Sequence, residues 1–415
     1  MKIAIMMRAM DQDSGFYLYV DGLVEALLKL EIPDVSFLLL YRTSKYFGRF
    51  SSYRNVTEIL LKAPHKFVWD QVVVPYAAWK HGADIIFNPK FTVPLISHCP
   101  VSMGLQEPAW FVCPEYYEKF DVFYQKRMLR ASVRKSSHFF AMAQWVIDEN
   151  RKYIDFPLDS ATVTFPGVHQ NHKPVTDQKV LEDFRKKYNL PDKFILSMTR
   201  VDNPGMDRSN KWNPSQNPLT ILKSFMLCRD KIPHHLVMAG RKVRDYFLDS
   251  GFAEKDFDKV HFVNFIPFDE IQNLYSLADF IVIAASYESF SFTLLGAMAC
   301  GCPAVVATTG AFPEVVGEGA LQADPFLPED FADKIITLAS DAELRNKLKR
   351  KSLAQAAKYT WENTAKLTLR GIYQAIESRH HLAGNSKRRF NNMLIQWTLG
   401  STIEAMFSAS ASFFG

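Results

Sequence analysis

The stretch from Ala284 to Val316 constrains this chain more than any other. Just before and into it, Phe280 to Ala285 is a short apolar run, as expected of a strand buried on both faces of a parallel sheet. The run stops at Ser286 and Tyr287, Glu288 stands in the turn, and Ser291 to Cys300 reads as a helix. Gly301, Cys302 and Pro303 stop that helix, and Ala304 to Ala307 supply the next strand. Strand, turn, helix and strand in this order predict an α/β fold. In open sheets of that class ligands bind outside the carboxyl ends of the strands, and the free amides and dipole of a helix N-terminus attract anions. Taken alone, the pattern also fits a plain βαβ unit with no ligand.

Composition sets the outer bounds. A chain of 415 residues predicts two domains, each large enough for its own core. Hydrophobic content of 48% and charged content of 22% are ordinary for globular proteins. No apolar run is long enough to span a membrane, and the start, MKIAIMMRAM, reads as a strand rather than a signal peptide. The five cysteines are scattered and odd in number, which predicts reduced thiols and a cytoplasmic protein. A net charge of +5 is too weak to argue for a nucleic-acid partner.

The side chains of the opening stretch narrow the reading. Glu288, Phe290, Leu295, Ala297, Met298, Ala299, Gly301 and Pro303, with the later run Phe312–Gly317, resemble the donor-binding signature of retaining GT-B glycosyltransferases of the family 4 type (glycosyltransferase group 1). One position departs: Gly296 stands where that pattern carries a second Glu. The resemblance covers residues 1–378 and implies two Rossmann-like domains whose parallel sheets face each other across a cleft. It implies an acceptor-side domain at 1–175 and a nucleotide-sugar domain at 176–360. A crossover helix at 361–378 would return to the first domain, leaving a tail at 379–415.

The resemblance also implies roles. Glu288 would hold hydroxyls of the donor sugar, and the amides of Ser291, Phe292 and Thr293 would hold phosphates, with Phe290 and Gly296 lining the donor. Arg200, at the end of the strand Phe194–Met198, would stabilise charge on the leaving diphosphate. A second cation is expected half a dozen residues later. Aligned on Asn217–Pro218 its place falls to Gln216, so Lys211 is the nearest lysine, with Arg208 as competitor and a solvated loop charge as the alternative for either. Asn264, Phe265 and Ile266 would meet the nucleotide base. Gly15 lets the first loop approach a ligand, and Ser14 can cap the helix that follows. Asp11 and Asp13 form an Asp-x-Asp, which binds a metal in another glycosyltransferase fold, but here it directly follows the first strand and suits a turn. Gln106 falls where the family commonly carries a His beside the reacting sugar. It can donate a hydrogen bond but cannot titrate, and a solvent-facing loop Gln is the alternative.

The implied activity is hexosyl transfer from a UDP- or GDP-sugar to a glycan or lipid-linked acceptor, with retention. The leaving phosphate would take the acceptor's proton, so no metal and no cofactor is required. A sugar-nucleotide epimerase of the same fold and a non-catalytic sugar-nucleotide binder are the alternatives. The long loop Asp202–Ser215 is expected to fold over the donor and replace the missing Glu contact, with Gly296 giving it room. The tail carries +3 of the net charge together with Phe390, Met393, Leu394, Trp397 and Phe407. It suits peripheral contact with an anionic inner membrane face, or else packing on its own protein or a loose end.

Overall fold

The computed structural model describes residues 1–11, 15–201 and 214–383. Two all-parallel sheets organise it. The first holds β1 (Lys2–Met6), β2 (Ser36–Tyr41), β3 (Val56–Leu60), β4 (Ile85–Asn88), β5 (Val101–Leu105), β6 (His138–Ala141) and β7 (Ala161–Val163), in the order β3-β2-β1-β4-β5-β6-β7. The second holds β8 (Phe194–Met198), β9 (His235–Ala239), β10 (Val260–Val263), β11 (Phe280–Ile283), β12 (Ala304–Ala307) and β13 (Ala320–Ala323), in the order β10-β9-β8-β11-β12-β13. Both are doubly wound Rossmann-like arrangements. In each, strand order reverses beside the first strand, between β1 and β4 and between β8 and β11. Such switch points open the crevice in which ligands bind.

The sequence explains the centre of each sheet. Ile3 registers with Phe37 on one side and Ile85 on the other, and Val282 with Val305, so apolar residues pair with apolar residues. These central strands are buried along most of their length because helices cover both faces. The helix Gly15–Lys29 buries Leu23 and Leu27, as the apolar spacing of Leu23, Leu27 and Leu30 predicts, while Leu30 lies just past the helix and is half-buried. None of the five cysteines forms a disulfide.

Elements not anticipated include β3, β13, and the helices Ala109–Val112, Val243–Asp249 and Phe312–Val316. The crossover helix is also longer than expected and runs Trp361–Ala383. It packs on the helix Gly15–Lys29 and on β6 and β7, so the last described helix completes the first domain. Three glycines make this possible. A Cβ at Gly22 would fall within the Trp361 indole, one at Gly167 would lie 2.2 Å from the Trp361 backbone nitrogen, and one at Gly371 would lie 2.7 Å from the His138 ring. No described helix is long and apolar enough to cross a membrane. The tail from 384 lies outside the described residues.

Candidate functional site

The switch point of the second sheet carries the predicted centre. β11 ends at Ile283, and the chain turns through Ser286–Glu288 before the helix Phe292–Ala299 begins. The turn is pinned from two sides. The Ser286 amide donates to the Ser215 carbonyl at 2.9 Å, and the Ala311 amide donates to the Glu288 carbonyl at 3.0 Å. Gly310, at φ +64°, comes so close to Glu288 that a Cβ there would stand 2.6 Å from its carbonyl oxygen. The Glu288 carboxyl accepts from the Phe290 amide and, at 3.4 Å, from Gln216 Nε2. Burial, reinforced by the nearby charge of Glu107, pushes its pKa up to about 8. At neutral pH it is therefore largely a protonated acid, able to donate as well as accept.

Glu107 comes from the other domain, at the carboxyl end of β5. Its carboxyl is hydrogen-bonded to Ser289, and burial raises its pKa. Lys90, beyond β4, faces it electrostatically, and burial followed by repulsion from Arg8 and Lys66 lowers the Lys90 pKa to about 7. Gln106 is 4% exposed, so the solvent-facing alternative falls. Its carbonyl accepts from Asn150 Nδ2 at 2.7 Å, while its own Nε2 is buried with no hydrogen-bond partner among the described residues. Tyr287 packs edge-on against Trp145 of the first domain, with ring centroids 5.2 Å apart. The turn at Glu288 thus lies between both domains.

The start of the signature helix behaves as its sequence predicts. Ser291 is the N-cap, its hydroxyl accepting from the Leu294 amide at 3.2 Å. Phe290 is buried against Phe292 and Tyr359. Gly15, Phe292, Thr293 and Gly296 line one cavity of about 810 Å³ between the domains. The space beside Gly296 is not open, however. A Cβ there would lie 2.9 Å from His172 Nδ1 and 3.1 Å from Tyr275 Cε2. His172 therefore occupies the room that the long loop was expected to use, and residues 202–213 of that loop, with Arg208 and Lys211, lie outside the described residues.

The remaining predicted residues scatter around this centre. Arg200 is exposed just past β8, on the strand adjoining β11. Asn264 is exposed, and Phe265 lies under the Arg241 guanidinium at 4.9 Å from the ring centroid. The Ile266 side chain is buried in the core, which leaves only its backbone to face a ligand. Asp11 accepts from the Thr43 hydroxyl at 2.5 Å, while Asp13 and Ser14 are outside the described residues. Sequence reasoning missed Glu107, which directly follows Gln106. It missed His172 altogether, and it read Gln216 as an absent lysine rather than as a partner of Glu288.

Comparison with known proteins narrows this geometry. Residues 209–355 match the model of the family described as glycosyl transferases group 1. That stretch holds β9 to β13 and lies within the second domain. The chain is similar to O-antigen chain mannosyltransferase B of Escherichia coli, with 23% identity over 62% of this chain and 66% of that protein. It is 32% identical to D-inositol 3-phosphate glycosyltransferase of Corynebacterium jeikeium over 28% of each chain. It spans only 31% of the serotype-specific mannosyltransferase WbdA of E. coli. Among solved structures, the fold resembles a glycosyltransferase from Rickettsia africae, with TM-score 0.69 and 16% identity over 93% of this chain and 99% of that one. Anabaena HepE in complex with UDP-glucose gives TM-score 0.66 and 14% identity over 90% and 99%. The chain thus has the GT-B fold.

Proposed function

We infer that the chain transfers a hexose from a UDP- or GDP-sugar to a glycan or lipid-linked acceptor, with retention at the anomeric carbon. One observation carries the reading: Glu288 stands at the switch point of the second sheet, beside a capped helix start and facing Glu107 of the first domain. A carboxyl here suits sugar hydroxyls, the free amides of the helix start suit phosphate oxygens, and Arg200 on the adjoining strand adds a cation. In this reading the bond from the anomeric carbon to the diphosphate breaks, and the acceptor oxygen bonds that carbon on the same face. The acceptor's proton passes to the departing phosphate oxygen. No metal and no protein base is needed, which fits Gln106, a donor that takes up no proton. The mannosyltransferase relatives support mannose as the first sugar to test, and the UDP-glucose complex of HepE supports UDP as an alternative carrier. The basic, aromatic tail supports peripheral attachment at the cytoplasmic face of an anionic membrane.

The test is a donor panel including GDP-mannose and UDP-glucose, incubated with and without glycan and lipid-linked acceptors. Nucleoside diphosphate release and the anomeric configuration of the product are read out. Acceptor-dependent release with retained configuration is expected, and no binding of any donor overturns the reading. A binding-only protein is the second reading, favoured by Gln216 rather than a cation against Glu288. Tight nucleotide binding with neither transfer nor hydrolysis decides for it.

A further inference from the structure

We propose that Arg8, Lys66 and Lys90 form an anion site on the first domain, which binds a phosphate group carried by the acceptor. The inference rests on the reading of the chain as a glycosyltransferase with its acceptor on this domain, and it gives that acceptor a chemical class. Topology brings the cations together. The strands β3, β2, β1 and β4 are neighbours in that order, and Lys66, Arg42, Arg8 and Lys90 follow their carboxyl ends in the same order. Arg8 and Lys90 thus flank the switch point of the first sheet, where a crevice opens.

The loop that presents Lys90 is built for its position. Asn88 is buried, its Nδ2 donating to the Phe91 and Thr92 carbonyls at 2.9 and 2.5 Å, and its Oδ1 accepting from the Lys90 amide at 3.1 Å. Thr92, buried and β-branched, stands at φ +68°, a conformation that such residues avoid and that persists where the surroundings over-determine it. Gly104 of β5 lets the loop come close, since a Cβ there would lie 2.2 Å from the Pro89 carbonyl oxygen. The Thr92 hydroxyl donates to Asp70 Oδ2 at 3.2 Å, and Asp70 Oδ1 lies 3.2 Å from Arg8 Nε. Asp70 therefore ties Arg8 to the loop of Lys90.

The charge at this spot is unbalanced. Among the described residues Asp70 is the one ion pair of Arg8, which is 9% exposed. Burial first, and repulsion from Arg8 second, lower the pKa of Lys66 to about 8 and that of Lys90 to about 7. At Lys66 the attraction of Asp70 is weaker than the repulsion of Arg8, and that of Asp121 is weaker than the repulsion of Arg42. At Lys90 the attraction of Glu107 is weaker than the repulsion of Arg8 and of Lys66. Positive potential therefore remains at both amines, and a bound anion would relieve it. A sugar hydroxyl brings no charge. A phosphate, with up to two charges and three acceptor oxygens, can meet two of these cations at once, and guanidinium and ammonium groups are its usual partners. The donor phosphates have their own place at Ser291–Thr293 and Arg200 of the second domain. A phosphate ester on a glycan and the diphosphate of a lipid carrier offer the same chemistry.

The experiment is calorimetric titration of the full-length protein with methyl mannoside, methyl mannoside 6-phosphate and a short-chain polyprenyl diphosphate mannose. UDP or GDP is present at saturation to fill the donor side, and a parallel titration of Arg200→Ala without nucleotide keeps the result independent of that side. Wild type is expected to bind a phosphorylated probe about 10- to 100-fold more tightly than methyl mannoside, as for one charge-assisted hydrogen bond. Preference for the mannoside phosphate alone assigns a phosphorylated glycan, and preference for the diphosphate alone assigns a lipid carrier. Lys66→Met combined with Lys90→Met should erase the preference, and Lys90→Arg should keep most of it. If the double variant melts early, each single variant serves in its place and should lose part of the preference. Equal binding of plain and phosphorylated probes by folded wild type, or a preference that survives loss of both lysines, overturns the proposal and leaves the donor reading standing. The donor reading falls separately, if folded wild type binds no nucleoside diphosphate.

Discussion

Glu314 of the second domain caps a helix of the first. Its Oε1 accepts from the Gln144 amide at 2.8 Å and its Oε2 from the Trp145 amide at 3.1 Å. The helix Gln144–Arg151 has Ala143 at its own N-cap and no side-chain cap there, so its first turn depends on a carboxylate from across the interface. The dipole of the helix start favours that negative charge.

Glu314→Ala should therefore cost about 1 kcal/mol, the usual worth of an N-cap. For domains of this size that is about 2–4 °C of melting temperature. Glu314→Gln, which keeps one acceptor but no charge, should fall between mutant and wild type. Equal melting of all three proteins by calorimetry would mean that the contact adds nothing to stability.

Glu288 should make stability pH-dependent in a direction opposite to an ordinary salt-bridged carboxylate. Its folded pKa, near 8, lies above the usual 4.5. The contribution is thus fully present below pH 4.5 and is lost as pH rises through 8. Glu288→Gln does not titrate, so its melting temperature relative to wild type should climb between pH 5 and pH 9 in ligand-free protein. A flat difference across that range would mark Glu288 as an ordinary solvated acid.

Transfer itself should depend on the same group. Glu288→Ala is expected to abolish turnover, and Arg200→Ala to reduce kcat by about 10²-fold or more, as for other lost partners of transition-state charge. Both variants should melt close to wild type at pH 6. Retained turnover in Glu288→Ala would remove this residue from the site.

The long αβ pattern and the Glu288 turn were legible because their determinants are local. Apolar runs of the right length define the strands, and the fixed spacing of Glu288, Phe290 and Ala297–Ala299 needs no knowledge of the partner domain. β3 was not legible, since VTEIL is short and carries Glu58, whose carboxylate takes the Tyr41 hydroxyl at 2.7 Å. Glu107 and His172 were hidden for a different reason. Each acquires meaning only from a residue far along the chain, Ser289 for one and Gly296 for the other, and no spacing rule links them.

Packing on Trp361 gives a further prediction. Gly22→Ala puts a methyl where the indole lies, and overpacking of this kind costs about 1–3 kcal/mol. Combining it with Trp361→Leu should recover part of the loss relative to the sum of the single mutants. Strict additivity by denaturant unfolding would place the strain elsewhere.

The returning helix has a consequence for how the protein is made. Thr364 donates its hydroxyl to the carbonyl of Phe165, a residue synthesised 199 positions earlier. At ribosomal rates of about 5–20 residues per second, the first domain waits roughly 10–40 s for the helix that closes over β6 and β7. The second domain has all its strands before that helix emerges. Birth order and completion order are thus reversed, and the face of the first domain that this helix covers stays open until the helix is made.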